Sequence, residues 1–312
     1  MDNRSSDIEV ADLTRSFANL VAVDHLSFSV ERGEIFGLVG PDGAGKTTTM
    51  RMLTGILPPD SGAITVAGCD VVADPEAVKS RISYMPQRFG LYEDLTVDEN
   101  IRFYADVFEV KRKAREERAA PLLAACGMSQ FRARLAGNLS GGMKQKLGLV
   151  CALIHTPRVL LLDEPTNGVD PISRREFWAM LYSLLDQGVT ILSSTAYLDE
   201  AERCHRLALL HNGRLLFCDE PESLKDRFPG AVLSIVSPEG RRLRDELRHA
   251  QGVTGTVLVG DAIHLFVDDG ARRLQELRKR LDTERVEYSE ITEVRPTIED
   301  LFVSATAEQE AA

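Results

Sequence analysis

The segment at residues 40–47 reads GPDGAGKT and combines three glycines with a lysine and a threonine. Glycines let the backbone wrap closely around phosphate oxygens and point its N–H groups inward. A lysine here is expected to neutralise the β- and γ-phosphates of a nucleotide, and a threonine hydroxyl to bind Mg²⁺. The segment therefore predicts a nucleotide-binding phosphate loop, whose contact residues are Gly40, Asp42, Gly43, Ala44, Gly45, Lys46, Thr47 and Thr48.

A pair of carboxylates, Asp163 and Glu164, follows the apolar residues 159–162. Asp163 can hold Mg²⁺ directly or through water, and Glu164 can orient or deprotonate an attacking water. Taken alone, the pair could equally be the exposed acidic end of a buried strand. Downstream of a phosphate loop it predicts in-line phosphoryl transfer, with Glu164 as the general base and Asp163 and Thr47 at the metal.

The sequence around these residues predicts the elements that must position them. An apolar run at 34–39 predicts a buried strand before the phosphate loop, and residues 48–54 predict a helix whose N-terminal dipole favours phosphate. Later helices alternate with apolar strands, which predicts an α/β core with parallel strands. Those strands are expected at 159–162, 190–193, 207–210 and 214–217.

Thr96 and Glu99 form a capping-box pattern, which is expected to open a helical stretch running to about Arg118. Pro121 is expected to kink the helix that follows or to start a new turn, and Gly127 to lie just after its end.

The pattern changes after the Pro-Gly turn at residues 229–230. Strands and helices then follow in the order β-α-β-β-α-β, which predicts a ferredoxin-like α+β module. We place the domain boundary between residues 226 and 227, which gives domains of 1–226 and 227–312. The second domain contains no cluster of catalytic residue types.

Composition excludes several classes of protein. The chain has 312 residues, 44% of them hydrophobic and 27% charged, as is usual for a globular protein with one large and one small domain. We expect neither a membrane span nor a signal peptide. The five cysteines are scattered, which indicates reduced cytosolic thiols, and the net charge of −11 argues against a nucleic-acid partner.

Residues Leu139, Ser140, Gly141 and Gly142 form an LSGG motif about twenty residues before Asp163. With this motif the chain resembles the ATP-binding cassette family over about residues 5–225. The resemblance implies a P-loop NTPase domain with a parallel-sheet core, an antiparallel β subdomain and a helical subdomain at about 91–150. In that family two cassettes pair head to tail, so Ser140, Gly141 and Gly142 would cover the γ-phosphate of ATP bound to a second cassette.

Other positions follow the order of the same family. Phe17 matches the aromatic residue that stacks on adenine, although a core phenylalanine is the alternative. Gln87 matches the glutamine that senses Mg²⁺ and the γ-phosphate, and Asp170 the carboxylate of the loop that communicates across the dimer.

Several residues of the segment that follows Gln87 are candidates for docking a membrane subunit. The alternative is that they belong to a loop buried against the helical subdomain. They are Phe89, Leu91 and Tyr92.

The chain departs from the family at three positions. Ala196 occupies the place of the switch histidine, which in the family contacts the γ-phosphate and keeps water and base aligned. None of the six histidines lies nearby at a matching spacing, so hydrolysis is expected to be slowed. Asp42 replaces the usual Asn of the phosphate loop, and Met143 replaces the usual Gln after the LSGG motif, as in exporter cassettes with separate membrane subunits.

The resemblance implies an ATP- and Mg²⁺-dependent subunit of an exporter for drugs, lipids or similar amphiphiles. It would be peripheral, on the cytoplasmic face of the cell membrane, with an integral membrane permease and a second cassette, identical or different, as partners. The C-terminal domain would regulate the assembly or stabilise the dimer. One alternative is a slow or non-hydrolytic subunit that completes an asymmetric cassette dimer. Another is a soluble cassette ATPase of DNA repair or translation, which the single phosphate loop and the absence of a long coiled-coil insertion oppose.

Overall fold

The computed structural model describes residues 5–88 and 90–311. Within this part of the chain, contacts divide the protein into two compact units. The first comprises the described residues up to Glu200 together with Cys204–Cys218, and the second comprises Ala201–Arg203 and the described residues from Asp219 onward. The boundary expected from the sequence, between residues 226 and 227, lies one short helix further along the chain.

The first unit contains the strands β1 (Ser6–Phe17), β2 (Leu20–Glu31), β3 (Ile35–Val39), β4 (Ser61–Val66), β5 (Cys69–Asp70), β6 (Ile82–Met85), β7 (Val159–Asp163), β8 (Thr190–Thr195), β9 (Arg206–His211) and β10 (Arg214–Asp219), the last of which ends at the boundary. Its helices are α1 (Lys46–Leu53), α2 (Pro75–Lys79), α3 (Val97–Val107), α4 (Arg112–Ala125), α5 (Gly141–Leu153), α6 (Pro171–Leu185) and α7 (Leu198–Ala201), whose last residue belongs to the second unit. Short 3₁₀ turns lie at Ser129–Phe131 and Ala136–Asn138.

The central sheet has the strand order β10-β9-β3-β8-β7-β6, and the pairs β3–β8, β3–β9, β7–β8 and β6–β7 are parallel. Every residue of β3, β7 and β8 is buried, as expected for parallel strands that are covered on both faces. The predicted parallel core is thus confirmed for β3, β6, β7, β8 and β9. Parallel strands end at one edge of a sheet, so the segments that follow β3, β7 and β8 are brought together there.

An antiparallel sheet with the order β2-β1-β4-β5 forms a second layer of this unit. Strand β1 pairs antiparallel with both β2 and β4, and apolar residues of these strands join the core beneath α1. The expected antiparallel subdomain is therefore present. Phe17 ends β1 and Leu20 begins β2, so the turn between them lies at the margin of this sheet.

The helical part of the unit corrects one prediction. Thr96 and Glu99 form the expected capping box, but α3 ends at Val107 instead of running to Arg118. Glu109 adopts a left-handed φ of 55°, and the Val110 N–H donates to the Ala105 carbonyl at 2.8 Å, which closes the helix. A separate helix, α4, then begins at Arg112 and contains Pro121 in its interior.

Gly127, with a φ of 68°, follows α4 as predicted.

The second unit contains α8 (Pro221–Lys225), β11 (Ala231–Val236), α9 (Gly240–Leu247), β12 (Val253–Val259), β13 (Ala262–Val267), α10 (Gly270–Glu284), β14 (Glu290–Val294) and α11 (Ile298–Ala311). Its sheet has the order β12-β13-β11-β14 with antiparallel pairs, which is the expected ferredoxin-like arrangement. Leucines of α9 and α10 pack on one face of this sheet.

Helix α11 was not anticipated. It contacts β12, β13 and α8 within the second unit. The buried Asp300 bonds His264 of β13 at 2.8 Å, and it also accepts from the Thr297 N–H and hydroxyl, which caps the helix. A Thr followed three residues later by Asp is a helix-start signal that lies within this segment of the sequence.

Candidate nucleotide-binding site

The phosphate loop connects β3 to α1, and close backbone contacts require glycine at two of its positions, Gly40 and Gly45. A Cβ on Gly45, whose φ is 99°, would lie 2.4 Å from the Ala22 carbonyl oxygen, and a Cβ on Gly40 would lie 2.4 Å from that of Leu210. Helix α1 begins at Lys46, so its free N–H groups face the loop. The local sequence therefore builds an anion-binding cradle at the start of α1, with side chains sterically excluded at Gly40 and Gly45.

Lys46 is 4% exposed, and its ammonium donates to the carbonyl oxygens of Gly40 and Pro41 at 2.8 and 3.0 Å. It also lies 3.1 Å from Oε1 of Glu164. These contacts hold the charge over the loop, where a phosphate group would meet it.

Asp163 ends β7 and is 1% exposed. Its Oδ1 accepts hydrogen bonds from the hydroxyls of Thr47 at 3.1 Å and Ser194 at 2.7 Å, and its Oδ2 accepts from the Tyr84 hydroxyl at 3.2 Å. Burial, together with the Asp163 charge, raises the pKa of Tyr84, which keeps that hydroxyl a donor. A carboxylate beside a threonine hydroxyl at a phosphate loop is an oxygen donor set that suits Mg²⁺.

Glu164 has a left-handed φ of 48°, a conformation that costs free energy in a residue other than glycine. The strained turn is held by its own N–H, which donates to Ser194 Oγ at 3.0 Å. Its side chain accepts from Gln87 at 2.9 Å and from Asn167 at 3.3 Å. The structure thus brings together Lys46, Gln87 and Glu164, which the sequence places far apart.

A cavity of about 640 Å³ opens at the phosphate loop. Its wall combines apolar side chains at the β1–β2 turn with the loop itself, Gln87 and Glu164; the residues are Phe17, Leu20, Val21, Ala22, Asp42, Gly43, Ala44, Gly45, Lys46, Thr47, Thr48, Gln87, Glu164 and Asn212. Phe17 is 45% exposed, which rules out the core alternative for this residue. The Arg15 guanidinium lies 5.0 Å from the centre of its ring and is anchored by Asp60 at 2.7 Å.

Ala196 follows β8 and is exposed. It lines a second cavity of about 230 Å³, together with Asp42, Glu164, Thr166, Asn167, Thr195 and Tyr197. Asp42 and Glu164 border both cavities. None of the six histidines lines either cavity.

The LSGG motif begins α5. Ser140 caps this helix by accepting from the Met143 N–H at 3.3 Å, and a Cβ on Gly142 would lie 2.4 Å from Ser173 Oγ. Asp170 caps α6 by accepting from the N–H groups of Ser173 and Ile172, and the bond from Ser173 lowers the pKa of Asp170. Ser140, Gly141, Gly142 and Asp170 do not line the phosphate-loop cavity of their own chain.

Of the three candidates for docking a membrane subunit, Phe89 lies outside the described residues. The other two, Leu91 and Tyr92, differ in exposure to solvent. Leu91 packs against the helical core, as the buried-loop alternative anticipates. Tyr92 is 48% exposed and lies edge-on to Phe103 with ring centres 4.6 Å apart.

Nearby, an apolar cavity of about 310 Å³ is lined by Ile56, Ile82, Tyr104, Phe108 and Cys151 among others.

Sequence reasoning did not find Ser194, Asn167 or Tyr84 as neighbours of the carboxylates. Ser194 pairs directly with Asp163 in the register of β7 and β8. Because the carboxyl ends of neighbouring parallel strands meet at one edge of a sheet, the ends of β7 and β8 could have been paired from the sequence, which would have placed Ser194 beside Asp163.

The cradle after β3 and the carboxylates after β7 define a phosphate-loop nucleotide-binding protein. A family model described as ABC transporter matches residues 23–167. The chain is 45% identical over 291 residues to the probable multidrug ABC transporter ATP-binding protein YbhF of Escherichia coli (strain K12), covering 90% of this chain and 48% of that protein. The chain thus spans about half the length of this relative.

The chain is 37% identical to the Nod factor export ATP-binding protein I of Paraburkholderia xenovorans (strain LB400), covering 97% of each. A solved ATP-binding subunit of an ABC transporter is 32% identical and superposes with a TM-score of 0.65, covering 71% of this chain and 92% of that one. The protein belongs to the ABC transporter family, among its ATP-binding proteins. Within residues 5–88 and 90–311, no helix is both long and apolar enough to cross a bilayer.

Proposed function

We propose that this chain is the ATP-binding subunit of an exporter, which binds Mg²⁺-ATP at the phosphate loop and couples its hydrolysis to a separate membrane permease. The observation that carries the proposal is the convergence of Lys46, Thr47, Gln87, Asp163 and Glu164 at one end of the glycine loop, with contacts of 2.9–3.1 Å among them. Charge for the phosphates, ligands for the metal and a base for water are therefore supplied within one small volume.

Each residue has a role that follows from its position. The Lys46 ammonium binds the β- and γ-phosphates, and Thr47 and Asp163 supply oxygen ligands. Bound Mg²⁺ contributes positive charge that neutralises the phosphate oxygens. Glu164 takes the proton of the attacking water, and Gln87 donates a hydrogen bond that orients this carboxylate.

Phe17 offers the ring face away from Arg15 to the adenine base.

A second cassette completes the site in this proposal. Ser140, Gly141 and Gly142 lie at the N-terminus of α5, outside the cavity of their own chain, and are free to cover ATP bound to a partner cassette. Asp170, which caps α6 beside Gly142, would communicate across that contact.

The permease would dock at the apolar surface near residues 90–108. Tyr92, Phe103, Val107 and Phe108 are exposed there beside the cavity of about 310 Å³, which gives an apolar helix of a membrane subunit a surface to cover. The protein would then be peripheral on the cytoplasmic face of the membrane. The names of the relatives, multidrug and Nod factor export, favour an amphiphilic cargo.

The proposal is tested with purified chain by nucleotide titration and by phosphate release, with and without EDTA. Glu164→Gln should bind ATP as the wild type does and should lose at least about a hundredfold in turnover, because the base is removed. Glu117→Gln is the matched control, since that carboxylate is 65% exposed on α4. Equal turnover of both variants would overturn the role of Glu164. Failure to bind Mg²⁺-ATP would overturn the assignment of the site.

The slow or non-hydrolytic alternative is favoured by one observation, the exposed Ala196 at a cavity with no histidine in its wall. In that case this chain holds ATP, and its LSGG motif completes an active site on a different cassette. Measuring phosphate release from the chain alone and in complexes isolated from native membranes distinguishes the two. A rate that appears only with a second, different cassette supports the alternative.

A further inference from the structure

Glu200 is a buried carboxylate that none of the roles above uses. It is 1% exposed, and burying a charge is costly unless it is paired and hydrogen-bonded. Its oxygens are satisfied separately. Oε1 accepts from the Thr166 hydroxyl at 2.7 Å, and Oε2 accepts from the Thr195 hydroxyl at 2.9 Å.

The two threonines belong to segments that are distant in sequence and that both border Glu164. Thr166 lies in the loop 164–170, which begins with Glu164 and ends at the cap of α6. Thr195 ends β8 and immediately precedes Ala196. Both threonines are at most 2% exposed, so the bridge formed by Glu200 is shielded from water.

A third segment closes the network. The Arg174 guanidinium, on α6, lies 3.4 Å from Glu200 Oε1 and 4.3 Å from the centre of the Tyr197 ring. The Tyr197 N–H donates to Thr195 Oγ1 at 3.0 Å. Asn167, next to Thr166, donates to Glu164 Oε2 at 3.3 Å. The contacts therefore lead from Glu200 to the carboxylate proposed as the base.

We infer that Glu200 is a positioning residue for hydrolysis: it locks the loop 164–170 to the segment 195–197, so that Glu164 and Asn167 keep their places at the cavity beside Ala196. The inference rests on the proposed function. Alanine gives the segment 195–197 no polar side chain at position 196 with which to hold a nucleotide. The segment 195–197 is held instead by the hydrogen bond from the Thr195 hydroxyl to Glu200 and by the bond from the Tyr197 N–H to Thr195.

Conservative variants separate this role from a general loss of structure. Thr166→Val and Thr195→Val keep side-chain shape and each remove one hydroxyl that bonds Glu200. Each should lower kcat by about three- to tenfold, with the Kd for nucleotide within about twofold of wild type, because coupling through one network is of this size. Glu200→Gln keeps the size and removes the charge facing Arg174, and should lower kcat by about tenfold.

Two comparisons complete the test. In the Glu200→Ala background, Thr166→Val should have no additional effect on kcat, because its bonding partner is already gone. Asp199→Asn is the control for removing a negative charge near Arg174, and it should leave kcat unchanged. This neighbouring carboxylate is 70% exposed and lies 3.7 Å from Arg174. Unchanged kcat in the threonine and Gln variants overturns the inference. So does a parallel loss of kcat, nucleotide affinity and Tm, which marks a merely structural role.

Amide hydrogen exchange keeps the inference testable if the wild-type chain proves not to hydrolyse ATP, an outcome that would refute only the proposed function. Glu200→Gln should then raise exchange at both 165–170 and 195–197. Raised exchange confined to α7 would overturn the positioning role.

Discussion

Placing a histidine at position 196 should raise the ATPase rate of the isolated chain. Ala196 is exposed on the wall of a cavity of about 230 Å³ that it shares with Glu164 and Asn167. The space is present, so Ala196→His should change the free energy of unfolding by less than about 0.5 kcal/mol. An imidazole there adds one hydrogen-bond donor beside the proposed base.

The size of the effect follows from what one such donor contributes. Removing a single preorganised donor from an active site typically costs about a hundred- to a thousandfold in rate. An imidazole introduced by substitution is not preorganised as a native donor is, so the gain should lie at or below the low end of that range. We expect kcat to rise by about ten- to a hundredfold, which is roughly 1.4–2.7 kcal/mol of the barrier, with KM little changed.

The assay is steady-state phosphate release by wild type, Ala196→His and Ala196→Leu. The leucine variant fills the cavity without a donor and should show no gain. Free imidazole at tens of millimolar should raise the rate of the wild type and leave that of the histidine variant unchanged. If the histidine and leucine variants both match the wild type, the site does not depend on this donor, and the support that Ala196 lends to an asymmetric partner is lost.

Three further perturbations test the site and the division of the chain. Lys46→Met should weaken nucleotide binding by about 10- to 100-fold, because a charge-assisted contact to phosphate is lost; unchanged affinity in a fluorescent-ATP titration would refute the loop assignment. Gly142→Ala should lower the free energy of unfolding by about 1–3 kcal/mol, since its Cβ meets Ser173, whereas Gly141→Ala, which meets nothing within 4 Å, should not lower it; equal denaturation midpoints would contradict this. A chain ending at residue 228 keeps β10 whole and should bind nucleotide within about twofold of the full chain; loss of binding would show that the site needs the second unit.

Predictions of helix starts and ends agree with the structure where all the residues that form the start or end lie in one short segment of the chain. The capping box at Thr96 and the left-handed Gly127 need only a few neighbouring residues to form. The end of α3 was missed because Glu109 is a poor left-handed residue by type. Helix α11 was missed although Thr297 and Asp300 carry a local start signal; the bond between Asp300 and His264, which also holds this helix, joins positions far apart in the chain.

The amino-acid sequence by itself determined the phosphate loop, the carboxylates at the end of β7 and the β-α-β-β-α-β order of the second unit. Each is encoded by residue types at short, fixed spacings, and short-range spacing is read directly along a chain. Only the tertiary structure decided that Phe17 is exposed at the cavity, that Ser194 and Tyr84 bond Asp163, and that Glu200 bridges two loops. Those contacts depend on strand order and register, which bring distant residues within hydrogen-bond range only after the sheet has formed.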